Sequence, residues 1–355
     1  MDKKHRTQKS DVGGVKPSRS YIDSLSDFAE LLGTIGQAEK AAKELNRELD
    51  AATTSAPVAP KTQTAVSEPA QTPKPEPDEA PPPTTEELLA ELDALVGLDA
   101  IKDSVRSLIN LVKVRRLREE AGLPVPPMSL HMVFTGNPGT GKTTVARIMG
   151  GLFRAIGVLS KGHLVETDRG GLVAGYVGQT AVKTGELVRS ALGGILFIDE
   201  AYALTPPEAQ NDFGREAVET LLKLMEDNRN ELVVIVAGYN EPMEDFISSN
   251  PGLQSRFNRY FAFPDYNAGE LLAIFAGMCE KHEYALSEYA RKSAETLLAD
   301  MYAARGENFG NARDVRNLFE NVISVHADRV SGIEAPTREE LRSVSAEDIE
   351  KAAAM

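Results

Sequence analysis

The chain has 355 residues, of which 39 are Lys or Arg and 53 are Asp or Glu, for a net charge of −14. That length exceeds one small domain and predicts two or three units with a sizeable core. The acidic balance gives no basic excess to neutralise a phosphate backbone, so nonspecific nucleic-acid binding is disfavoured. Cys279 is the only cysteine, so no intramolecular disulfide forms, and a cytoplasmic protein is the simpler expectation. No run of 18 uncharged apolar residues exists, and the polar stretch from Met1 to Ser20 lacks an apolar core. Neither a membrane span nor a signal peptide is expected.

In chain order, Ile22, Leu25, Ala29 and Leu32, then Ile35, Ala38, Ala42, Leu45 and Leu49, recur at helical spacing and predict amphipathic helix within residues 1–50. Packing on the protein's own surface, pairing with copies of itself and docking to a partner all remain open for it. Residues 51–84 hold nine of the 20 prolines without apolar period and read as a disordered, semi-rigid linker. Thr84-Thr85-Glu86-Glu87 is a capping box that opens a helix running through Leu95. Short apolar runs at His131–Phe134, His163–Glu166, Gly194–Ile198 and Leu232–Ala237 alternate with helical spacing, which predicts a parallel sheet covered on both faces over residues 85–266. After Pro264-Asp265-Tyr266 the strands stop, and residues 267–355 read as helices only, with capping signals at Thr337-x-x-Glu340 and Ser345-x-x-Asp348. The expected fold class is therefore α/β followed by a smaller all-helical domain.

Four constellations carry chemistry. Gly136-Asn137-Pro138-Gly139-Thr140-Gly141-Lys142-Thr143 satisfies G-x-x-x-x-G-K-[ST] between a strand and a helix, the context that motif requires. Glycines turn backbone N–H groups around phosphates, Lys142 reaches the β- and γ-phosphates and Thr143 ligates Mg²⁺. Asn137, Pro138, Gly139, Thr140, Gly141, Lys142, Thr143 and Thr144 are thus the expected nucleotide contacts. Ile195-Leu196-Phe197-Ile198 ends in Asp199-Glu200 at the strand edge where α/β proteins bind ligands. Asp199 suits the Mg²⁺ shell, and Glu200 suits activation of the attacking water. The strand Leu232–Ala237 leads to Asn240, a candidate for positioning that water, although Asn before Glu241-Pro242 is equally ordinary turn chemistry. Arg256 and Arg259 follow a Pro-Gly turn and suit arginine fingers, against the alternative of surface salt bridges.

The order of these elements resembles an AAA+ ATPase: a P-loop domain with a parallel sheet, then a helical lid. From about Leu95 to Asp348 the chain more narrowly resembles the group containing red-type Rubisco activases (CbbX/CfxQ) and stage V sporulation protein K. Val96-Gly97-Leu98, Gly136–Thr143, Leu172–Ala181, Phe197–Tyr202, Ala237-Gly238-Tyr239, Asn250–Arg256 and Gly310-Asn311-Ala312-Arg313 carry the likeness. The resemblance implies that Val96, Gly97 and Leu98 pack on adenine, that Arg313 reaches the γ-phosphate from the lid, and that Arg256 acts on the neighbouring subunit's nucleotide. A finger supplied in trans implies a homo-oligomeric ring, typically a hexamer. Tyr176 and Val177 fall on a glycine-flanked loop that in similar proteins lines a central pore and grips a protein substrate.

The leading expectation is a ring-forming ATPase, with ATP and Mg²⁺ as cofactors, that remodels or threads a protein. A nucleotide-dependent scaffold recruiting a partner through the N-terminal helix is the alternative, and a DNA-acting clamp or loader suffers from the acidic charge. The five histidines are scattered without H-E-x-x-H, which predicts neither a protein-bound metal site nor a metalloprotease activity.

Overall fold

The structure, a computed structural model, describes residues 82–176, 178–206 and 213–355. The expected N-terminal helical segment, the linker as far as residue 81, and Val177 lie outside the described residues.

Thr84 caps α1 (Thr85–Asp93): its hydroxyl accepts from the Glu87 N–H while the Glu87 carboxylate accepts from the Thr84 N–H. The helix ends two residues short of Leu95, and Gly97 and Leu98, both at positive φ, turn the chain into α2 (Asp99–Glu120). Five strands then form one sheet among the described residues: β1 (Met132–Thr135), β2 (Leu164–Thr167), β3 (Gly194–Ile198), β4 (Leu232–Gly238) and β5 (Arg259–Ala262). Their order is β2-β3-β4-β1-β5, with every neighbouring pair parallel. The fifth strand corrects the sequence reading, which places no strand between Ala237 and the lid. Its burial alternates instead of forming an apolar run, because it is an edge strand paired to β1 alone.

Side chains of the central strands divide by the two-residue pleat. Met132, Phe134, Ile195, Phe197, Val233 and Ile235 join one core with α1, α2 and the helix after β1, α3 (Lys142–Ala155). Val133, Leu196, Ile198, Val234 and Val236 face the other core. There they meet α5 (Gln179–Ser190), α6 (Gly214–Asp227) and α7 (Asn240–Ser248); a one-turn α4 (Arg169–Leu172) precedes α5, and α8 (Pro251–Arg256) precedes β5. Apolar residues on both faces explain why these strands read as continuous hydrophobic runs.

The lid comprises α9 (Ala268–Lys281), α10 (Glu288–Ala303), α11 (Ala312–Ser331), α12 (Arg338–Arg342) and α13 (Ala346–Ala353). Contrary to the helices-only reading, β6 (Ala285–Leu286) and β7 (Ser343–Val344) form a two-residue parallel pair that ties α10 to the C-terminal segment. Thr337 with Glu340 and Ser345 with Asp348 form full capping boxes. Asp348, 1% exposed, is also gripped by Arg329, whose Nε lies 2.9 Å from Oδ1 and whose Nη2 lies 2.8 Å from Oδ2. Burial alone raises a carboxyl pKa, but Arg329 and the Ser345 cap outweigh it and hold Asp348 below the ordinary value.

Candidate nucleotide-binding and hydrolysis site

The P-loop begins where β1 ends. Gly136 has φ 139° and donates its N–H to the Gly238 carbonyl at 3.1 Å. A Cβ there would lie 2.2 Å from the Phe263 carbonyl oxygen, so only glycine lets the loop leave between β4 and β5. Thr140 is fully buried and donates from its hydroxyl to the Asn137 carbonyl at 2.8 Å, closing the loop on itself. Lys142, first residue of α3, places its ammonium 2.8 Å from the carbonyls of both Gly136 and Asn137. Burial lowers its pKa, Asp199 opposes that shift, and Arg313 adds to it.

A cleft of about 770 Å³ opens above this loop. Its floor comprises Gly136, Pro138, Gly139, Thr140, Gly141, Lys142, Thr143 and Thr144. Asp199 and Glu200 bound it at the end of β3. Asp199 donates its N–H to the Thr167 carbonyl at 2.8 Å, and its Oδ1 accepts the Glu200 N–H at 3.1 Å. Glu200 has φ 48°, a left-handed conformation that costs about 1 kcal/mol in a non-glycine residue. Such strain at a carboxylate lining a cleft is a mark of functional sites. Val96 and Leu98, with Leu95, form an apolar wall, faced by Ile274 and Met278 of α9, and Arg313 closes the far side from α11.

Several expected residues lie elsewhere. Gly97 is not on the cleft wall; it backs onto Glu270, whose Oε1 would lie 2.3 Å from an added Cβ. Asn137 turns its amide to Asp265, at 3.0 Å from Oδ1 and 3.2 Å from Oδ2. Asn240 is exposed on the first turn of α7 and does not line the cleft, because β4 extends to Gly238 and delivers Tyr239 to the strand end instead. Tyr239 lies 6.2 Å from the ring of Tyr202. The Tyr202 phenol is pushed up to about 12, by burial first and then by Glu200, Tyr239 and Asp199, so it stays protonated beside the acids.

Arg256 and Arg259 are likewise absent from their own chain's cleft. The Arg256 guanidinium donates to the Gly252 carbonyl at 3.4 Å and to Glu226 Oε2 at 3.5 Å. Arg259 donates from Nε to the Ser129 carbonyl at 3.3 Å, while the Ser129 hydroxyl donates to the Arg256 carbonyl at 2.7 Å. The pair is thereby tied to one residue. Tyr176 is 73% exposed between Gly175 and Gly178, at neither of which would an added Cβ meet any atom within 4 Å. The base of that loop is pinned: Thr180 accepts from the Ala174 N–H at 3.1 Å, and the Lys183 ammonium bonds the carbonyls of Gly170 and Val173.

Sequence reasoning missed Tyr266, Lys281 and Arg316, and named Tyr239 only as part of a motif, although all four line the cleft. The one available signal lies on α9, where Ala273, Ile274, Gly277, Met278 and Lys281 share a face and all reach the cleft.

A phosphate-cradling loop with a lysine, two acids at the neighbouring strand end and an apolar slot above them define a P-loop nucleoside triphosphatase. Residues 132–265 match the ATPase family associated with various cellular activities (AAA), and residues 267–355 match the AAA lid domain. Stage V sporulation protein K of Bacillus subtilis (strain 168) is 43% identical over 265 residues, covering 74% of this chain and 82% of that protein. Protein CbbX of Cereibacter sphaeroides is 46% identical over 248 residues, covering 69% and 79%. The AAA domain of FIGL-1 solved with ADP superposes with a TM-score of 0.52 at 18% identity, covering 74% of this chain and 82% of that one, which shows the shared fold. The chain belongs to the AAA+ ATPases, within the group that contains CbbX/CfxQ and stage V sporulation protein K, and it is an ATP-hydrolysing enzyme. No helix among the described residues is long and apolar enough to cross a membrane.

Proposed function

We propose that the chain assembles into a homo-oligomeric ring, of six protomers as in related rings, in which each active site is completed by the neighbour and ATP hydrolysis drives remodelling of a protein substrate. The observation that carries this reading is the division of the expected catalytic set. Lys142, Thr143, Asp199, Glu200 and Arg313 line one cleft, whereas Arg256 and Arg259 are half-buried outside it. Arginines at a position that cannot serve their own nucleotide suit a neighbour's, where they neutralise charge on the transferred phosphoryl group.

Within each site, Val96 and Leu98 hold the adenine, and Lys142 with the loop N–H groups holds the phosphates. Thr143 and Asp199 offer hard oxygen donors in the same cleft and fit Mg²⁺, which takes one or two protein oxygens and leaves the rest to phosphates and water. The bound metal would neutralise charge on the β- and γ-phosphates. Glu200 takes the proton of the attacking water, and Tyr239, which lines the cleft at the end of β4, orients that water. The exposed Tyr176 supplies an aromatic grip for an extended chain, since a ring face contacts backbone and side chains without sequence preference. A protein is the substrate class this supports, and the net charge of −14 argues against nucleic acid.

The test is complementation. Lys142→Ala lacks nucleotide binding but retains its arginines; Arg256→Ala binds nucleotide but lacks its finger. Each alone is inactive, and mixing them restores ATP hydrolysis at sites formed between the two. Mixed oligomers that stay inactive, or full specific activity at a dilution where light scattering shows monomer, would refute the trans arrangement.

A further inference from the structure

The P-loop and the lid are joined by a cluster of polar side chains that lies behind the cleft. Asn311, the residue before α11, is 0% exposed and has φ 52°, a conformation rarely held by a side-chain-bearing residue. Its Oδ1 accepts the Tyr266 N–H at 2.9 Å. Its Nδ2 lies 2.7 Å from Asp265 Oδ1, 3.0 Å from the Phe309 carbonyl and 3.3 Å from the Pro138 carbonyl of the P-loop. Asp265 in turn receives the Asn137 amide, so one carboxylate bridges an asparagine of the P-loop and an asparagine of the lid.

The backbones meet as well. The Ala312 N–H donates to the Gly139 carbonyl at 3.3 Å, and the Tyr266 hydroxyl donates to the Thr140 carbonyl at 3.3 Å. A Cβ at Gly139 would lie 2.3 Å from the Gly310 oxygen and 2.7 Å from the Arg313 nitrogen. The P-loop therefore rests directly on the first turn of α11, two residues from the arginine that reaches into the cleft.

We propose that Asp265 and Asn311 are positioning residues for ATP hydrolysis, clasping the P-loop to the start of α11 so that the phosphate cradle and Arg313 are set against each other as one piece. Neither side chain lines the cleft, so both act through the groups they hold. An asparagine kept at positive φ is explained by this demand: from a single buried position it supplies an acceptor for Tyr266, one N–H for Asp265 and a second shared by the Phe309 and Pro138 carbonyls. Displacement of the lid relative to the sheet is then transmitted to the cradle, because Asp265 and Tyr266 lie in the five-residue connection between β5 and α9. The link to Arg313 rests on its proposed role at the phosphate; the link to the P-loop does not.

The test uses the full chain with Asn311→Gly and Asp265→Asn. Glycine accepts the positive φ at 311 while deleting the clasp, and Asp265→Asn preserves shape and the oxygen shared by the two amides while removing the charge and setting a donor where Oδ2 accepts from Asn137. The expected result is mant-ADP binding weakened tenfold or more for Asn311→Gly and severalfold for Asp265→Asn, with melting temperatures in the absence of nucleotide within a few degrees of the parent. Parental mant-ADP affinity in both variants would overturn the clasp, as would losses that only track melting temperature. A kinetic arm addresses Arg313: Arg313→Ala lowers kcat, and adding Asn311→Gly to it lowers kcat little further, because both changes unseat the same group. Multiplying losses would overturn the coupling to Arg313. An unaltered kcat in Arg313→Ala alone would overturn that arginine's role, an outcome distinguishable from failure of the clasp, which is read in mant-ADP affinity.

Discussion

His131 offers a quantitative test of the core at the base of the sheet. The side chain is 5% exposed, its Nδ1 accepts the Val234 N–H at 3.0 Å, and its ring lies 6.0 Å from that of Phe257. Burial, reinforced by the positive charge of Arg256, lowers its pKa from 6.5 to about 4. A histidine depressed in the fold binds its proton more readily when unfolded, so stability contributed by the neutral ring is complete above pH 6.5 and declines as pH falls toward 4. Over the interval from about pH 7.5 to about pH 4.5 the loss amounts to about 2.5 kcal/mol, on the scale of about 1.4 kcal/mol per pKa unit. His131→Asn keeps an acceptor, Oδ1, at the position of Nδ1 and removes the titration. The variant is less stable at pH 7.5 because the ring no longer fills its site, but urea unfolding across this range shows a shallower acid dependence by about 2.5 kcal/mol. Carboxylates elsewhere titrate equally in both proteins and cancel in the difference. Parallel stability curves for the two proteins would refute the argument, since they require His131 to bind its proton equally in folded and unfolded chains.

Glu200→Gln removes the base but leaves the cleft's shape, so turnover falls by about 10²- to 10⁴-fold while mant-ADP affinity changes little, as read by steady-state hydrolysis and fluorescence titration. Gly136→Ala forces a Cβ against the Phe263 carbonyl at positive φ; thermal unfolding should show destabilisation by about 3 kcal/mol or more, with nucleotide binding lost. Arg329→Met strands the Asp348 carboxylate, and chemical denaturation at pH 7 should register a loss of about 2–4 kcal/mol, tempered by the partial exposure of the arginine. Because the Asp348 pKa is depressed in the fold, the parent's advantage over that variant holds above the ordinary carboxylate range and shrinks as pH falls through it.

The phosphate-binding half of the site is legible in sequence because its residues are consecutive. Residues 136–143 fold on themselves, and the Lys142 and Thr140 contacts close within six residues. The β3 acids are legible because a wholly buried strand makes the two charges at its end conspicuous. Legibility fails where a single residue of register decides the outcome: Asn240 and Tyr239 differ by one position, and only the strand's extension to Gly238 selects the tyrosine. It fails again for β5, whose alternating burial lacks the apolar run of its neighbours. The clasp was beyond reach for a different reason. Asn137, Asp265 and Asn311 lie 128 and 46 residues apart, and each by itself is ordinary turn composition.

The position of β1 in the sheet also governs how the protein comes into being. β1 pairs with Ile235–Gly238 on one side and Arg259–Ala262 on the other, so a nascent chain has no partner for this strand until more than a hundred further residues have left the ribosome. Closing so large a loop before any pairing reward makes the step slow. The P-loop, although contiguous, therefore follows a strand that has no partner while about a hundred further residues are made. A phosphate cradle that looks local in sequence is thus, in its supporting sheet, a long-range structure.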